Sequence, residues 1–258
     1  MRETSRGRST VDVWVAALRD DETGPWLAHL DATEQARAAT LPDQQRSRFV
    51  QARALLRGVL GERLGCSARA VELHVACSAC GGPHGPVTLA ADIDLFTSIT
   101  RAGARIGVAL TDAGAVGVDI ESFAAISAAR LADVALSGRA LAAHARRRPS
   151  ARTRALATSW VSAEAALKAT GTGLRTSPAD LEIHSRRGRR TALAPDGTWA
   201  LLAGLDLGPG LAGAVALVPG GPWSAEHTGR DPAAGPHRLT VRLHDGDAVL
   251  TDLSESQR

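Results

Sequence analysis

Two short segments of this chain recur at nearly the same offset. VELH at 71–74 is answered by LEIH at 181–184, 110 residues on, and GARIGVAL at 103–110 by GLAGAVAL at 210–217, 107 residues on. A helical stretch precedes each copy, QARALLRGVLGERLG at 51–65 and SAEAALKATGTGL at 162–174. Each carries glycine where a helix C-terminus needs a left-handed residue. Apolar alternation of the kind that makes strands opens each half, VDVWVAAL at 11–18 and AVGVDIE at 115–121. The order strand, helix, then two or three strands therefore occurs twice, with a seam near residue 114. That repetition predicts an α+β fold of two similar lobes, 1–114 and 115–218, related by pseudo-twofold symmetry.

Beyond residue 218 the texture changes. PGGPWSAEHTGRDPAAGPH reads as a linker, and RLTVRLHDGDAVLTDL alternates around Asp245-Gly246, a favoured two-residue hairpin turn, so 219–258 is expected to be a linker and a hairpin. With 258 residues, 44% of them hydrophobic and 22% charged, the chain has enough apolar material for a large core. Of 30 basic residues only Lys168 is lysine, and tyrosine is absent, a bias typical of GC-rich coding. The net charge of +3 favours an anionic ligand or acidic partner only weakly. No run approaches the roughly 18 apolar residues of a membrane span. MRETSRGRST lacks the apolar core of a signal peptide, so no membrane association and a cytoplasmic location are expected. Three cysteines without secretory context make a disulfide framework unexpected.

The chemistry gathers at the start of the second half. In GVDIE the strand period of two sends Val118 and Ile120 to one face and Asp119 with Glu121 to the other. Two carboxylates on one patch repel unless a cation lies between them, and their oxygens suit magnesium; the plain alternative is two solvated acids. On the following helix Trp160, Glu164 and Lys168 are spaced by four and share a face, with the acid one turn before the base. The plain alternative there is a surface ion pair. A lysine supplies a slim, flexible point charge where arginine supplies a planar fork.

GVDIE, followed about forty residues later by W-x-x-x-E-A-x-x-K-x-x-G-x-G-L, resembles the surfactin-type 4′-phosphopantetheinyl transferases. RSRFVQARALLRGVLGERLG at 46–65 resembles their first-half helix, and CGGPHGP at 80–86 their G-x-P loop. The resemblance implies the two-lobed α+β fold of that family, and transfer of the phosphopantetheine arm of coenzyme A to a serine of an acyl or peptidyl carrier protein, with release of adenosine 3′,5′-bisphosphate. It implies Mg2+ held by Asp119, Glu121 and Glu164. Glu164 and Lys168 become the catalytic pair, Lys168 also contacting the coenzyme A phosphates, and Arg53 reaches the nucleotide 3′-phosphate. Thr100, Arg101 and His84 fall at the remaining cofactor-binding positions. The expected partners are coenzyme A and an apo carrier protein, the expected state a monomer, and the setting polyketide or nonribosomal peptide biosynthesis.

The departures from the family are specific. TRAG at 100–103 has Arg101 where histidine is usual and Ala102 where a hydroxyl is usual; Ala163 replaces a common lysine; and the G-x-P loop offers only His84. These changes motivate an alternative, a weak or inactive homologue that binds carrier protein or coenzyme A without transfer. The basic stretch GRALAAHARRRPSARTRA at 138–155 complements an acidic carrier surface. With HSRRGRR at 184–190 it also raises a nucleic-acid-binding alternative. Phenylalanine and tryptophan are too scarce to build a stacking platform, so no nucleic-acid partner is expected. His74, Cys77, Cys80 and His84 have the ligand types for tetrahedral zinc. Reduced thiols are the favoured reading, because His74 falls in a strand and the loop is assigned to coenzyme A.

Overall fold

The computed structural model describes residues 8–19, 23–76, 81–82, 85–90, 93–129, 131–173, 176–186, 188–220 and 238–256. The first half contains β1 (Arg8–Ala17), α1 (Gly24–Leu27), α2 (Ala32–Ala39), α3 (Asp43–Leu64), β2 (His74–Val75), β3 (Val87–Thr88), β4 (Phe96–Ala102) and β5 (Arg105–Thr111). There follow β6 (Gly114–Ser122), α4 (Phe123–Ala129), α5 (Ala132–Ala135), α6 (Gly138–Ala145) and α7 (Pro149–Thr170). The chain ends with β7 (Glu182–Arg186), β8 (Arg189–Leu193), β9 (Trp199–Leu205), β10 (Leu211–Pro219), β11 (Arg238–Asp245) and α8 (Gly246–Glu255). The fold is α+β, with sheets ordered β11-β1-β5-β4, β6-β10-β9-β8-β7 and β2-β3. No helix among the described residues is long and apolar enough to cross a membrane. Contacts divide the chain into two compact units. The first comprises Met1–Asp12, Asp94–Ser98 and Ala109–Arg242, and the second Val13–Ile93, Ile99–Val108 and Leu243–Arg258.

In the first unit the antiparallel β6-β10-β9-β8-β7 sheet is covered by α7. Register places Gly117 opposite Ala216 and Asp119 opposite Ala214. Helix α7 starts at Pro149, whose missing N–H costs nothing in a first turn, and stops at Gly171, which is left-handed at φ 66°. Its buried face is largely alanine, with Ala157, Ala165, Ala166 and Ala169 joined by Leu156, Val161 and Leu167 against Ala200, Leu202, Ala214 and Ala216. Small residues let helix and sheet approach closely. The approach is tightest at Gly117, where a Cβ would collide with the Ala165 carbonyl oxygen and lie 2.8 Å from the Ala169 nitrogen.

The second unit is built around α3, which buries Phe49, Val50, Leu55, Leu56, Val59 and Leu60. Arg57 of α3 is fully buried and fully engaged. It donates from Nε to Glu34 at 2.6 Å, from Nη2 to Asp31, and from Nη1 to the Val71 carbonyl at 2.8 Å. Asp31 also caps α2 by accepting the Glu34 N–H at 2.8 Å. A short polar segment is thereby locked to the core helix by one cation.

The hairpin expected at Asp245-Gly246 is not formed: β11 runs into α8 instead. Asp245 is extended, and its carboxylate accepts the N–H groups of Asp247 at 2.9 Å and Ala248 at 3.3 Å, the bonding of a helix N-cap. Asp-Gly serves a tight turn and a helix start equally well, so the residues that follow decide. Val249, Leu250 and Leu253 have helical spacing; Leu250 is fully buried and its carbonyl accepts the Trp26 indole N–H at 2.9 Å. Of the linker ahead of the strand, 221–237 lies outside the described residues.

Three outcomes follow from the packing within each unit. Gly117→Ala should cost about 3 kcal/mol or more in denaturant unfolding, since backbone, not a movable side chain, blocks the methyl group. Gly204→Ala, whose Cβ would meet nothing closer than 4.0 Å, should stay within about 0.5 kcal/mol of wild type or gain stability. Glu34→Gln, which strips a buried carboxylate from Arg57, should lower unfolding free energy by about 3 kcal/mol in the same measurement.

Candidate active site

Gly117, Asp119 and Glu121 alternate along β6 and so share a face, and Gly117 on that face lies under α7. Asp119 is only 5% exposed. Lys168, reaching across from α7, donates to Asp119 Oδ1 at 2.8 Å and to the Val118 carbonyl at 2.9 Å. The Val118 N–H donates to Ser98 Oγ at 3.1 Å. Since β6 is the end strand of its sheet, two side chains satisfy the backbone groups that a further strand would otherwise take.

The carboxylates are electrostatically coupled. Burial pushes the Glu121 carboxyl up to about 7; the Asp119 and Glu164 charges add to the rise, and Lys168 opposes it. The Glu164 carboxyl is raised first by burial and then by Asp119, again against Lys168. As the side chains stand, no three His, Cys, Asp or Glu among the described residues are gathered closely enough to hold a metal ion. The donor chemistry nonetheless fits a hard divalent cation: the three acids offer oxygen alone, they repel one another, and a cation, the Lys168 ammonium, already stands on Asp119.

The other residues picked out by sequence lie in the second unit. Arg53 is buried on α3 with Nε 3.4 Å from Glu34 and its guanidinium 5.6 Å from the Phe49 ring centre. Burial lowers its pKa to about 10, opposed by Glu34 and reinforced by Arg101, Arg37 and Arg57. Arg53 Nη1 is buried without a hydrogen-bond partner among the described residues. Arg101 has an exposed side chain whose charged end is still partly desolvated; that desolvation, then Arg37 and Arg48, lowers its pKa. Thr100 is buried in β4. His84, Cys77 and Cys80 lie outside the described residues.

Several residues that shape these sites were not singled out by sequence. Gly117 sits two positions before Asp119 in GVDIE, where strand periodicity alone could have placed it on the acids' face. Ser98, Arg37 and Arg48 act through tertiary contacts and leave no local signal. Ala163, the position commonly lysine in the family resembled, is a buried residue of α7, 1% exposed.

Residues 115–208 match the model of the 4′-phosphopantetheinyl transferase superfamily. Comparison with curated proteins finds no match. Among solved structures, a holo-(acyl-carrier-protein) synthase from Bacillus anthracis str. Ames, in complex with CoA (3′,5′-ADP), is 21% identical, with a TM-score of 0.36; the match covers 40% of this chain and 94% of that one. The stretch matched by the superfamily model contains β6 from Ala115 onward and all of α7, and with them Asp119, Glu121, Glu164 and Lys168.

Proposed function

We propose that the chain is a phosphopantetheinyl transferase of the surfactin type, a cytoplasmic monomer that moves the 4′-phosphopantetheine arm of coenzyme A to a serine of an acyl or peptidyl carrier protein. The observation that carries this reading is the Lys168–Asp119 ion pair, electrostatically coupled to Glu121 and Glu164, within the stretch matched by the superfamily model. In the reaction the serine oxygen bonds to the phosphorus that bears pantetheine. The bond from that phosphorus to the bridging oxygen breaks, and adenosine 3′,5′-bisphosphate leaves.

Asp119, Glu121 and Glu164 would hold Mg2+, which would supply charge neutralisation at the pyrophosphate. Glu164, directly or through water, accepts the proton from the serine hydroxyl. Lys168 supports the developing negative charge on the leaving phosphate. Arg53, Thr100, Arg101 and His84 are assigned to coenzyme A, with Arg37 and Arg48 adding positive charge around Arg101. Arg139, Arg146, Arg147, Arg148, Arg152 and Arg154 are exposed around α6 and the start of α7, and fit an acidic carrier surface.

The test is intact-mass measurement of apo carrier proteins from the same genome, incubated with coenzyme A and Mg2+. One carrier should gain the mass of a phosphopantetheine group. Asp119→Ala and Glu164→Ala should each reduce that gain to about 1% of wild type or less, with far-UV circular dichroism unchanged. No mass gain on any carrier at high coenzyme A would sink the transferase reading and leave the binding-only homologue. Full activity in either variant would show the carboxylates misassigned.

A further inference from the structure

Lys168 is the chain's single lysine. Its ammonium has three N–H donors, of which one goes to Asp119 and one to the Val118 carbonyl. The two ends of this ion pair are unlike. The Asp119 side chain is 7% exposed and sits on a strand, whereas the Lys168 side chain is 31% exposed and ends a flexible stem. Asp119 cannot turn to water, but Lys168 can withdraw.

Two cations on one carboxylate repel strongly where little water screens them. A metal that took Asp119 would therefore meet the ammonium already there. We propose that Lys168 and the divalent metal are alternative partners of Asp119: the ammonium holds the carboxylate when the metal is absent and leaves it when the metal enters. The inference rests on the metal role given to Asp119 above. It assigns Lys168 a positioning role ahead of any contact with coenzyme A, because withdrawal releases the N–H that a phosphate then takes. It also accounts for lysine at this position. A guanidinium would grip the carboxylate with a two-pronged fork and yield it less readily.

The lone lysine makes the test direct, since lysine labelled with 15N yields one side-chain Nζ resonance from the full chain. In chelator-treated protein without coenzyme A this resonance should be protected from solvent exchange. Saturating Mg2+, followed in parallel by calorimetry, should shift it and speed its exchange. Lys168→Met should bind Mn2+, read by electron paramagnetic resonance, on the order of ten-fold more tightly than wild type. Lys168→Gln serves if the methionine variant loses its wild-type circular dichroism, and the wild-type resonance decides if both do. Metal binding that leaves the Nζ resonance unmoved, or equal Mn2+ affinity in a folded variant, overturns this inference alone. No metal binding to wild type or variant overturns it together with the metal reading of Asp119.

Discussion

The contact on which the first unit depends is the approach of α7 to β6 at Gly117. Backbone meets backbone there, and nothing larger than hydrogen fits between. Four residues of helix rise about 6 Å and two residues of strand about 6.6 Å, so the two elements run past each other nearly in step. Ala165 and Ala169 bracket Gly117, and the neighbouring positions of α7, Glu164 and Lys168, are thereby brought to the level of the β6 acids. The polar constellation is a by-product of close packing. Alanine on the helix and glycine on the strand set its dimensions before any charge is considered.

The second unit manages buried charge in two ways along one helix. Arg57 has its guanidinium closed off by two carboxylates and backbone carbonyls, so its desolvation is offset by bonds on every side. Arg53, about one turn earlier, shares Glu34 at longer range and rests on Phe49. A buried cation left short of partners loses stability, and the depressed Arg53 pKa records that cost. Arg57 therefore serves the fold, while Arg53 has an Nη1 without a hydrogen-bond partner among the described residues.

How much could be read in advance follows from the range of each interaction. The strand in GVDIE and the helix through SAEAALKAT announce themselves by local periodicity, and both are present as β6 and α7. The stop at Gly171 is equally local, needing only a residue tolerant of positive φ. Spacing on the helix pairs Lys168 with Glu164, yet the ammonium bonds across to Asp119 and Val118, because a tertiary partner in a drier place outweighs a neighbour one turn away. At Asp245-Gly246 the local signal was ambiguous, and burial of Leu250 decided for helix over hairpin. Ser98 could not be foreseen, since nothing near it in sequence indicates that the Val118 N–H lacks a strand partner.

The N-cap at Asp245 has a further consequence for how the chain is made. Helix α8 supplies the carbonyl that receives the Trp26 indole, 224 positions away, and Asp247 accepts the Ala17 N–H across 230 positions. The second unit thus lacks its closing helix until more than 200 residues after Trp26 have been translated. The sheet of the first unit and the helix α7 that covers it, all between residues 114 and 219, can form sooner. Vectorial synthesis therefore favours closing the sheet under α7 before the second unit, with Trp26 waiting for a carbonyl 224 positions further along.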